Sequence, residues 1–194
     1  MGQVFDFRKP GEPPRVIRGT LEKTVFFVGF MGAGKTSVVR KLARYAGVAG
    51  IDMDTFIQRR CDMKVKAIIE DFGEERFRSI ETEVLKELAE GEPRLVSCGG
   101  GVVLKQENRD ILRSSGFVVY LQVTAREAAS RISDKTTRPL FGGLDHAERV
   151  IAGRLHLYEE VADVTIDTAG RGSASVAREA LSHLNATGIL KVEG

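Results

Sequence analysis

The stretch that most constrains the fold of this chain is GFMGAGKT at residues 29–36. It fits the pattern GxxxxGK[ST] without a mismatch. The apolar run VFFV precedes it at residues 25–28, and a helical pattern begins at Lys35. A strand, a glycine turn and a helix in that order are the setting of a phosphate-binding loop, where backbone N–H groups and the helix N-terminus hold phosphate oxygens. The chain is therefore expected to bind a nucleotide.

The same motif predicts which residues contact the nucleotide. Lys35 is expected to bridge the terminal phosphates, and the hydroxyl of Thr36 is expected to ligate Mg²⁺. A chance glycine turn beside a surface lysine is the alternative, and the flanking strand and helix argue against it. The residues expected to bind the phosphates of ATP are Gly32, Ala33, Gly34, Lys35, Thr36 and Ser37.

Strand and helix patterns alternate along the rest of the chain, without internal repeats. Strands rich in Val, Ile and Phe that alternate with helices indicate an α/β protein whose parallel sheet is covered on both faces. Ligands of such sheets bind beyond the carboxyl ends of the strands, so the functional residues are expected there. The predicted strands are 24–29, 50–54, 94–98, 117–123 and 164–167, and the predicted helices are 35–46, 74–89, 106–114, 124–132, 145–162 and 173–186.

Composition excludes several classes of protein. A net charge of +2, with both signs interspersed, argues against a dedicated nucleic-acid binder. Cys61 and Cys98 are too few for a disulfide framework or a zinc site, which is typical of a reducing cytosol. The apolar runs are too short to cross a bilayer, and the N-terminus lacks the apolar core of a signal peptide. We therefore expect a cytoplasmic protein without a membrane or nucleic-acid partner.

Length and N-terminal composition predict the domain organisation. A chain of 194 residues suits one domain with a substantial core. Residues 1–22 are polar and contain prolines, which predicts an extended or partly ordered, flexible arm. A single domain is expected at residues 23–194.

Motifs that are missing narrow the class of nucleotide-binding protein. The sequence DTAG at residues 167–170 imitates a GTPase motif, but it follows the last predicted strand and no NKxD sequence exists. The triplet DFG at residues 71–73 imitates a protein kinase, but no HRD sequence precedes it. The third predicted strand ends in Ser97 and Cys98, where a motor ATPase would carry an acidic residue. The metal-site carboxylate must therefore come from another strand.

Two aspartates in the sequence IDMD at residues 51–54 are the obvious source of that carboxylate. In an extended segment, residues i and i+2 point to the same side, so Asp52 and Asp54 would project together beside the phosphate loop. One could hold Mg²⁺ through water, and the other could accept a hydrogen bond from a substrate hydroxyl. A solvated turn, or a helix N-cap at Asp54, is the alternative.

Charged residues fall on the apolar faces of two predicted helices. In helix 74–89, Glu81 lies inside the apolar stripe, and Arg78 at its edge is within reach of it. In helix 145–162, Arg154 lies within the stripe. Either arginine alone could serve a purely structural ion pair. Two inward arginines in one phosphate-loop domain instead suggest a small anionic acceptor, with a carboxylate as the favoured group.

Two glycine-containing segments complete the predicted pocket. Gly99, Gly100 and Gly101 directly follow the third strand, where the backbone must turn sharply or approach a ligand closely. Residues 133–145 are polar and lie between two good helices, which is typical of a mobile lid. Arg138 in that segment could reach the transferring phosphoryl group, although a solvated loop arginine is equally compatible with the sequence.

The combination of motifs resembles the shikimate kinase family. GFMGAGKT, DMD, FRSIE, GGG, TTRPL and RLHLYEEVAD occur in that family's order and spacing, from about residue 24 to the last helix. The resemblance implies a three-layer α/β/α fold like that of nucleoside monophosphate kinases, with a five-stranded parallel sheet and a mobile lid. It also implies an enzyme of aromatic amino-acid biosynthesis. We expect a monomer.

The resemblance further implies an activity and its residues. The implied reaction transfers the γ-phosphoryl of ATP to the 3-hydroxyl of shikimate, with Mg²⁺ as cofactor. Asp54 would hold ring hydroxyls, Arg78 and Arg154 would clamp the carboxylate, Glu81 would orient Arg78, and the Gly99, Gly100 and Gly101 backbone would complete the acceptor pocket. Lys35 and Arg138 would neutralise phosphoryl charge, Asp52 would support the metal site with Thr36, and Arg131 would stack on adenine opposite residues 169–173.

Two other functions remain as alternatives at this point. A related kinase of another small acid, such as gluconate, shares the phosphate loop, but the FRxxE and GGG sequences argue against it. A homologue that binds nucleotide without catalysis should have lost Lys35, an aspartate of the DMD sequence or a substrate arginine, and this chain retains all of them.

Overall fold

The computed structural model describes residues 18–131 and 144–193. A five-stranded parallel sheet with the strand order β3-β4-β2-β5-β6 forms its centre. Its strands are β2 (Thr24–Val28), β3 (Gly50–Asp52), β4 (Leu95–Ser97), β5 (Gly116–Gln122) and β6 (Val164–Asp167). The described helices are α1 (Lys35–Ala46), α2 (Met53–Cys61), α3 (Val65–Glu90), α4 (Gln106–Ser115), α5 (Ala125–Arg131), α6 (Leu144–Val161) and α7 (Ser173–Ala186), with a 3₁₀ turn at Val102–Leu104.

The central strand β2 divides the core into two halves. Val25 and Phe27 belong to one buried cluster with residues of α1 and α7. Phe26 and Val28 point to the opposite face, where they join residues of α3, α4 and α6. Alternate side chains of a strand face opposite sides, so four consecutive apolar residues, as at 25–28, are the pattern of a sheet buried on both faces. The predicted three-layer α/β/α fold with five parallel strands is confirmed.

A second, two-stranded sheet pairs the beginning of the described chain with its end. Strand β1 (Arg18–Leu21) runs antiparallel to β7 (Leu190–Glu193), and Leu21 and Leu190 are buried in the core. Neither strand was predicted. Strand β1 falls within the predicted arm at residues 1–22, and β7 lies beyond the last predicted helix, which ends near residue 186. The predicted arm therefore ends in a strand that contacts the domain, and the division of the chain into arm and domain stays a prediction.

The predicted second strand is two residues too long. It ends at Asp52, and α2 begins at Met53, so Asp54 lies in the first turn of a helix. Asp52 is the N-cap residue, because its carboxylate accepts hydrogen bonds from the backbone N–H and the hydroxyl of Thr55, both at 2.9 Å. The alternative prediction, an N-cap at Asp54, was therefore wrong, because the residue that caps α2 is Asp52, two positions earlier. The burial of Met53 and Ile57, four residues apart, then holds α2 on the core.

Gly73 explains why the predicted helix covers only the part of α3 that follows residue 73. Its backbone has φ 84° and ψ 161°, and it kinks the helix where the predicted helix begins, at residue 74. A residue with a Cβ disfavours such a conformation, so glycine permits the two halves to meet at an angle. The first half, residues 65–72, was not predicted. No helix in the part of the chain that the structure describes has the length and apolarity to cross a bilayer.

Candidate active site

The phosphate loop connects β2 to α1 as the sequence predicts. Gly32 and Gly34 adopt φ values of 81° and 90°, which favour glycine, and a Cβ on Gly32 would lie 2.8 Å from the carbonyl oxygen of Ala128. Lys35 is only 8% exposed, and its Nζ donates to the carbonyl oxygens of Gly29 at 2.7 Å and Phe30 at 3.0 Å. The loop thus holds the lysine ammonium group against its own backbone, at the N-terminus of α1.

Thr36 and Asp52 meet at the carboxyl ends of two strands. The Thr36 hydroxyl donates to Asp52 Oδ2 at 2.7 Å and lies 3.1 Å from the hydroxyl oxygen of Ser97. Asp52 and Ser97 are register partners on β3 and β4, so the sheet itself brings these groups together. Burial by itself would raise the pKa of Asp52, but hydrogen bonds from Thr36, Thr55 and Ser97 outweigh it and lower the pKa. The carboxylate is therefore ionised at neutral pH.

Thr36 and Asp52 offer oxygen ligands of the kind that suit Mg²⁺ bound with a nucleotide. Mg²⁺ prefers oxygen ligands and in kinases takes one or two protein groups, with waters and phosphate oxygens completing the octahedron. The hydroxyl of Thr36 and the ionised carboxylate of Asp52 are such groups, and they lie beside the phosphate loop. The described residues contain no cluster of three or more His, Cys, Asp or Glu side chains, so a nucleotide-independent metal site is not found among them.

Asp54 lies on the acceptor side of the cleft. Its negative charge acts on Glu81, and a Cβ placed on Gly99 would lie 3.2 Å from Asp54 Oδ1 and 2.8 Å from Glu81 Oε1. The prediction that Asp52 and Asp54 share one side of a strand was wrong in its geometry, because Asp54 belongs to α2. Both aspartates nevertheless line the same cleft.

Arg78 and Glu81 form the predicted pair on α3. Arg78 Nη1 donates to Glu81 Oε2 at 2.7 Å, and the side chain of Glu81 is 1% exposed. Burial raises the pKa of Glu81, an effect that the nearby guanidinium opposes and the negative charge of Asp54 reinforces. Glu74 accepts from Arg78 Nη2 at 3.1 Å on the solvent side. The two glutamates thus fix the guanidinium plane at the wall of the cleft.

The glycine turn after β4 packs directly against that guanidinium. A Cβ on Gly101 would overlap both terminal nitrogens of Arg78. A Cβ on Gly100 would approach the backbone N of Met31, in the phosphate loop, at 3.3 Å. Glycine is therefore required here for close approach, since a side chain would push apart the phosphate loop and α3.

Arg154 enters the cleft from α6 and is half-buried. Tyr158 lies one turn further along the same helix, and its hydroxyl donates to the carbonyl oxygen of Gly100 at 2.6 Å. Burial raises the pKa of Tyr158, although the positive charge and a hydrogen bond from Arg154 oppose the shift, as does the charge of Arg78. Both arginines therefore lie near one tyrosine hydroxyl, although they come from different helices.

Arg131 lies at the other end of the cleft, where α5 ends. Its guanidinium donates to the hydroxyl of Thr168 at 3.0 Å and to the carbonyl oxygen of Thr168 at 2.6 Å. The link ties α5 to the loop between β6 and α7, which also carries Arg171 and Ser173 into the cleft. Residues 169–173, predicted to lie opposite Arg131, are the end of this loop and Ser173, the first residue of α7.

One cleft of about 1060 Å³ contains nearly all the predicted site residues. Arg138 and most of the predicted lid, residues 133–145, lie outside the described residues, and their roles stay predictions. Sequence reasoning missed Ser97, Thr168 and Tyr158, since a strand-end serine, a loop threonine and a tyrosine in an apolar stripe carry no distinctive signal. The predicted residues that line the cleft are Gly32, Ala33, Gly34, Lys35, Thr36, Ser37, Asp52, Asp54, Arg78, Glu81, Gly99, Gly100, Gly101, Arg131 and Arg154.

Known proteins of one family resemble this chain in sequence and in fold. A curated shikimate kinase of Actinobacillus succinogenes is 39% identical over 151 residues, which cover 76% of this chain and 86% of the relative. A shikimate kinase from Acinetobacter baumannii, solved in complex with shikimate, matches with a TM-score of 0.81 and 33% identity, over 85% of this chain and 94% of that one.

A more distant likeness bears on the alternative kinase. A gluconokinase from Sinorhizobium meliloti matches with a TM-score of 0.56 and 23% identity, over 87% of this chain and 94% of that one, which shows a shared fold alone. The family model described as shikimate kinase, by contrast, matches residues 31–185 of this chain. The match spans the phosphate loop, both arginine-bearing helices and the glycine turn. The chain therefore belongs to the shikimate kinase family.

Proposed function

We propose that this chain transfers the γ-phosphoryl group of ATP to the 3-hydroxyl of shikimate, giving shikimate 3-phosphate and ADP. The observation that carries the proposal is the presence of Arg78, Arg154 and the phosphate loop in one cleft. A phosphoryl donor site and a binding site for a small acid must adjoin for direct transfer. The reaction belongs to the biosynthesis of aromatic amino acids.

The acceptor end of the cleft suits a compact hydroxylated carboxylic acid. Arg78 and Arg154 would bind the carboxylate, since a guanidinium presents paired N–H donors that match two carboxylate oxygens. Glu81 would keep Arg78 oriented through its 2.7 Å hydrogen bond, while the backbone at Gly99, Gly100 and Gly101 would lie against the ring. The acid would thereby be oriented by its carboxylate, with its hydroxyls toward Asp54.

Asp54 is the proposed partner of the reacting hydroxyl. Its carboxylate would accept a hydrogen bond from the acceptor hydroxyl. This bond would direct a lone pair of the hydroxyl oxygen at the γ-phosphorus. Phosphoryl transfer has a loose transition state with little bonding to the nucleophile, so positioning contributes more than early removal of the proton. The proton would pass to Asp54 as the new O–P bond forms.

Positive charge at the donor end would stabilise the transferring group. Lys35 would leave the Gly29 and Phe30 carbonyls for the terminal phosphates, and the α1 N-terminus would add its partial charge. Thr36 and Asp52 would hold Mg²⁺, which when bound neutralises phosphate oxygens. Arg131 would contact the adenine. Arg138, in the lid proposed at residues 133–145, would reach the γ-phosphoryl group on closure.

A coupled ADP-release assay tests this function. ADP production should require ATP, Mg²⁺ and shikimate together, and it should stay at background with gluconate or without an acid. ADP release with gluconate and not with shikimate would assign the chain to the alternative kinase. ATP binding in calorimetry without turnover of either acid would instead indicate a non-catalytic homologue.

The state and location of the enzyme are also proposals. We propose a monomer, because one chain supplies every described residue of the site, and sedimentation at assay concentration would reveal a dimer. We propose a cytoplasmic location, which the two free cysteines, Cys61 and Cys98, support, since the cytosol keeps thiols reduced. Fractionation of cells that express the tagged chain would test it.

A further inference from the structure

Tyr158 connects the two halves of the acceptor site without lining the cleft. Its hydroxyl donates to the carbonyl oxygen of Gly100 at 2.6 Å. Arg154 lies one turn earlier on the same helix, and its positive charge acts on that hydroxyl. Tyr158 itself is 1% exposed and is absent from the residues that line the cleft.

The bond to Gly100 orients more than one carbonyl group. The Gly100 C=O and the Gly101 N–H belong to the same planar peptide unit, so fixing the direction of one fixes the other. Gly101 lies directly against the guanidinium of Arg78. The Tyr158 hydroxyl therefore controls the orientation of the glycine turn at the point where it meets the first arginine.

The ring of Tyr158 is itself held in place. It stacks on Tyr120 of β5, with centroids 5.1 Å apart and an angle of 14° between the planes. Stacking of this kind leaves the ring little freedom to rotate its hydroxyl away from Gly100. The sheet, through β5, thus sets the position of a hydroxyl that links α6 to the glycine turn.

We propose that Tyr158 is a positioning residue for the acid acceptor, whose hydroxyl holds the Gly100–Gly101 peptide in place against the guanidinium of Arg78. This inference rests on the proposed function, because it assigns the step that Tyr158 supports to binding of the carboxylic acid. Tyr158 touches neither substrate. It acts through the glycine turn and Arg78.

The substitution Tyr158→Phe tests the proposal, with Tyr120→Phe as the matched control. Tyr158→Phe removes one hydroxyl and keeps the stacked ring, and it should raise the KM for shikimate about tenfold, since a buried carbonyl loses its donor. The KM for ATP should stay within about twofold. Tyr120→Phe leaves the Tyr158–Gly100 bond in place and should change neither constant by more than about twofold.

Two further measurements separate positioning from loss of structure. Thermal unfolding identifies a temperature at which all variants are folded, and calorimetry with shikimate there should show the same tenfold loss of affinity. In an Arg78→Ala background, Tyr158→Phe should raise the KM for shikimate less than about threefold, because the effects of coupled residues are not additive. A full tenfold effect in that background would overturn the coupling to Arg78.

The outcomes distinguish this inference from the proposed function. If the unsubstituted enzyme phosphorylates shikimate and Tyr158→Phe leaves its KM unchanged, or raises both KM values equally, the positioning role is wrong and the function stands. If the unsubstituted enzyme releases no ADP with shikimate, the proposed function itself fails.

Discussion

The hydroxyl of Thr36 lies 2.7 Å from a carboxylate oxygen of Asp52, across the boundary between the phosphate loop and the next strand of the chain. Thr36 lies in the first turn of α1, and Asp52 both ends β3 and caps α2. One aspartate therefore joins the nucleotide side of the cleft to the helix that carries Asp54. A substitution at Asp52 can therefore affect the metal site, the helix or both, depending on the charge and the capping ability of the new side chain.

Asp52→Asn should weaken Mg²⁺ binding and leave α2 in place. Asparagine caps a helix about as well as aspartate, but it lacks the charge that attracts the cation. The Mg²⁺ concentration for half-maximal activity should rise about tenfold or more, as measured by titration at saturating ATP and shikimate. Asp52→Ala removes the N-cap as well and should also lower the melting temperature. An unchanged Mg²⁺ requirement in Asp52→Asn would exclude Asp52 from the metal site.

Arg78→Ala and Arg154→Ala should each raise the KM for shikimate roughly 10- to 100-fold, because each removes a charge-assisted contact to the carboxylate. The KM for ATP should change little, which steady-state kinetics with either substrate varied would show. Arg76→Ala is the matched control, since Arg76 lies on the same helix with 59% of its side chain exposed. Equal KM values for Arg78→Ala and the unsubstituted enzyme would contradict the carboxylate clamp.

Strong local patterns made most of the fold predictable. The phosphate motif, strand β2 with its apolar run at residues 25–28, and the helices Lys35–Ala46 and Ser173–Ala186 were predicted with the bounds that the structure has, apart from one residue at the end of β2. Inward charges identified Arg78, Glu81 and Arg154 before their neighbours were known. These features are visible in sequence because a buried strand or an inward arginine violates the ordinary surface pattern.

Tertiary relationships set the limits of prediction. Helix α2 buries only the apolar pair Met53 and Ile57, which is too little to distinguish a helix from the end of a strand. Strands β1 and β7 lie at opposite ends of the chain, and their pairing depends on the core that forms between them. From the sequence, Tyr158 cannot be distinguished from an ordinary core residue, because its hydrogen-bond partner, Gly100, lies 58 positions away along the chain.

Glu81→Gln should flatten the pH dependence of stability above pH 4.5, the ordinary pKa of this carboxyl group. Burial raises the pKa of Glu81, so the folded protein holds the proton more strongly than the unfolded chain. The stability that this group contributes is therefore complete below pH 4.5 and is lost as the pH rises through the folded-state pKa. Glu81→Gln removes that loss, because glutamine does not titrate.

Urea unfolding at a series of pH values measures this difference. The free energy of unfolding of the unsubstituted enzyme, relative to that of Glu81→Gln, should decline as the pH rises. Glu83→Gln is the control, since the side chain of Glu83 is 53% exposed and its variant should keep the parent slope. Parallel curves for the parent and Glu81→Gln would mean that the arginine beside Glu81 has fully cancelled the effect of burial.

Gly101→Ala tests whether close backbone approach orients Arg78. The added methyl would overlap the terminal nitrogens of Arg78, while the backbone at Gly101, with φ −101° and ψ 1°, tolerates alanine. The guanidinium must therefore move, and the KM for shikimate should rise about tenfold while the KM for ATP is maintained.

Gly153→Ala is the matched control, because a methyl at this position on α6, next to Arg154, meets no atom within 4 Å. It should leave both KM values unchanged and stabilise the helix by about 1 kcal/mol. If Gly101→Ala binds shikimate as tightly as the parent enzyme, Arg78 can bind the acid from another position, and the glycine turn does not orient it.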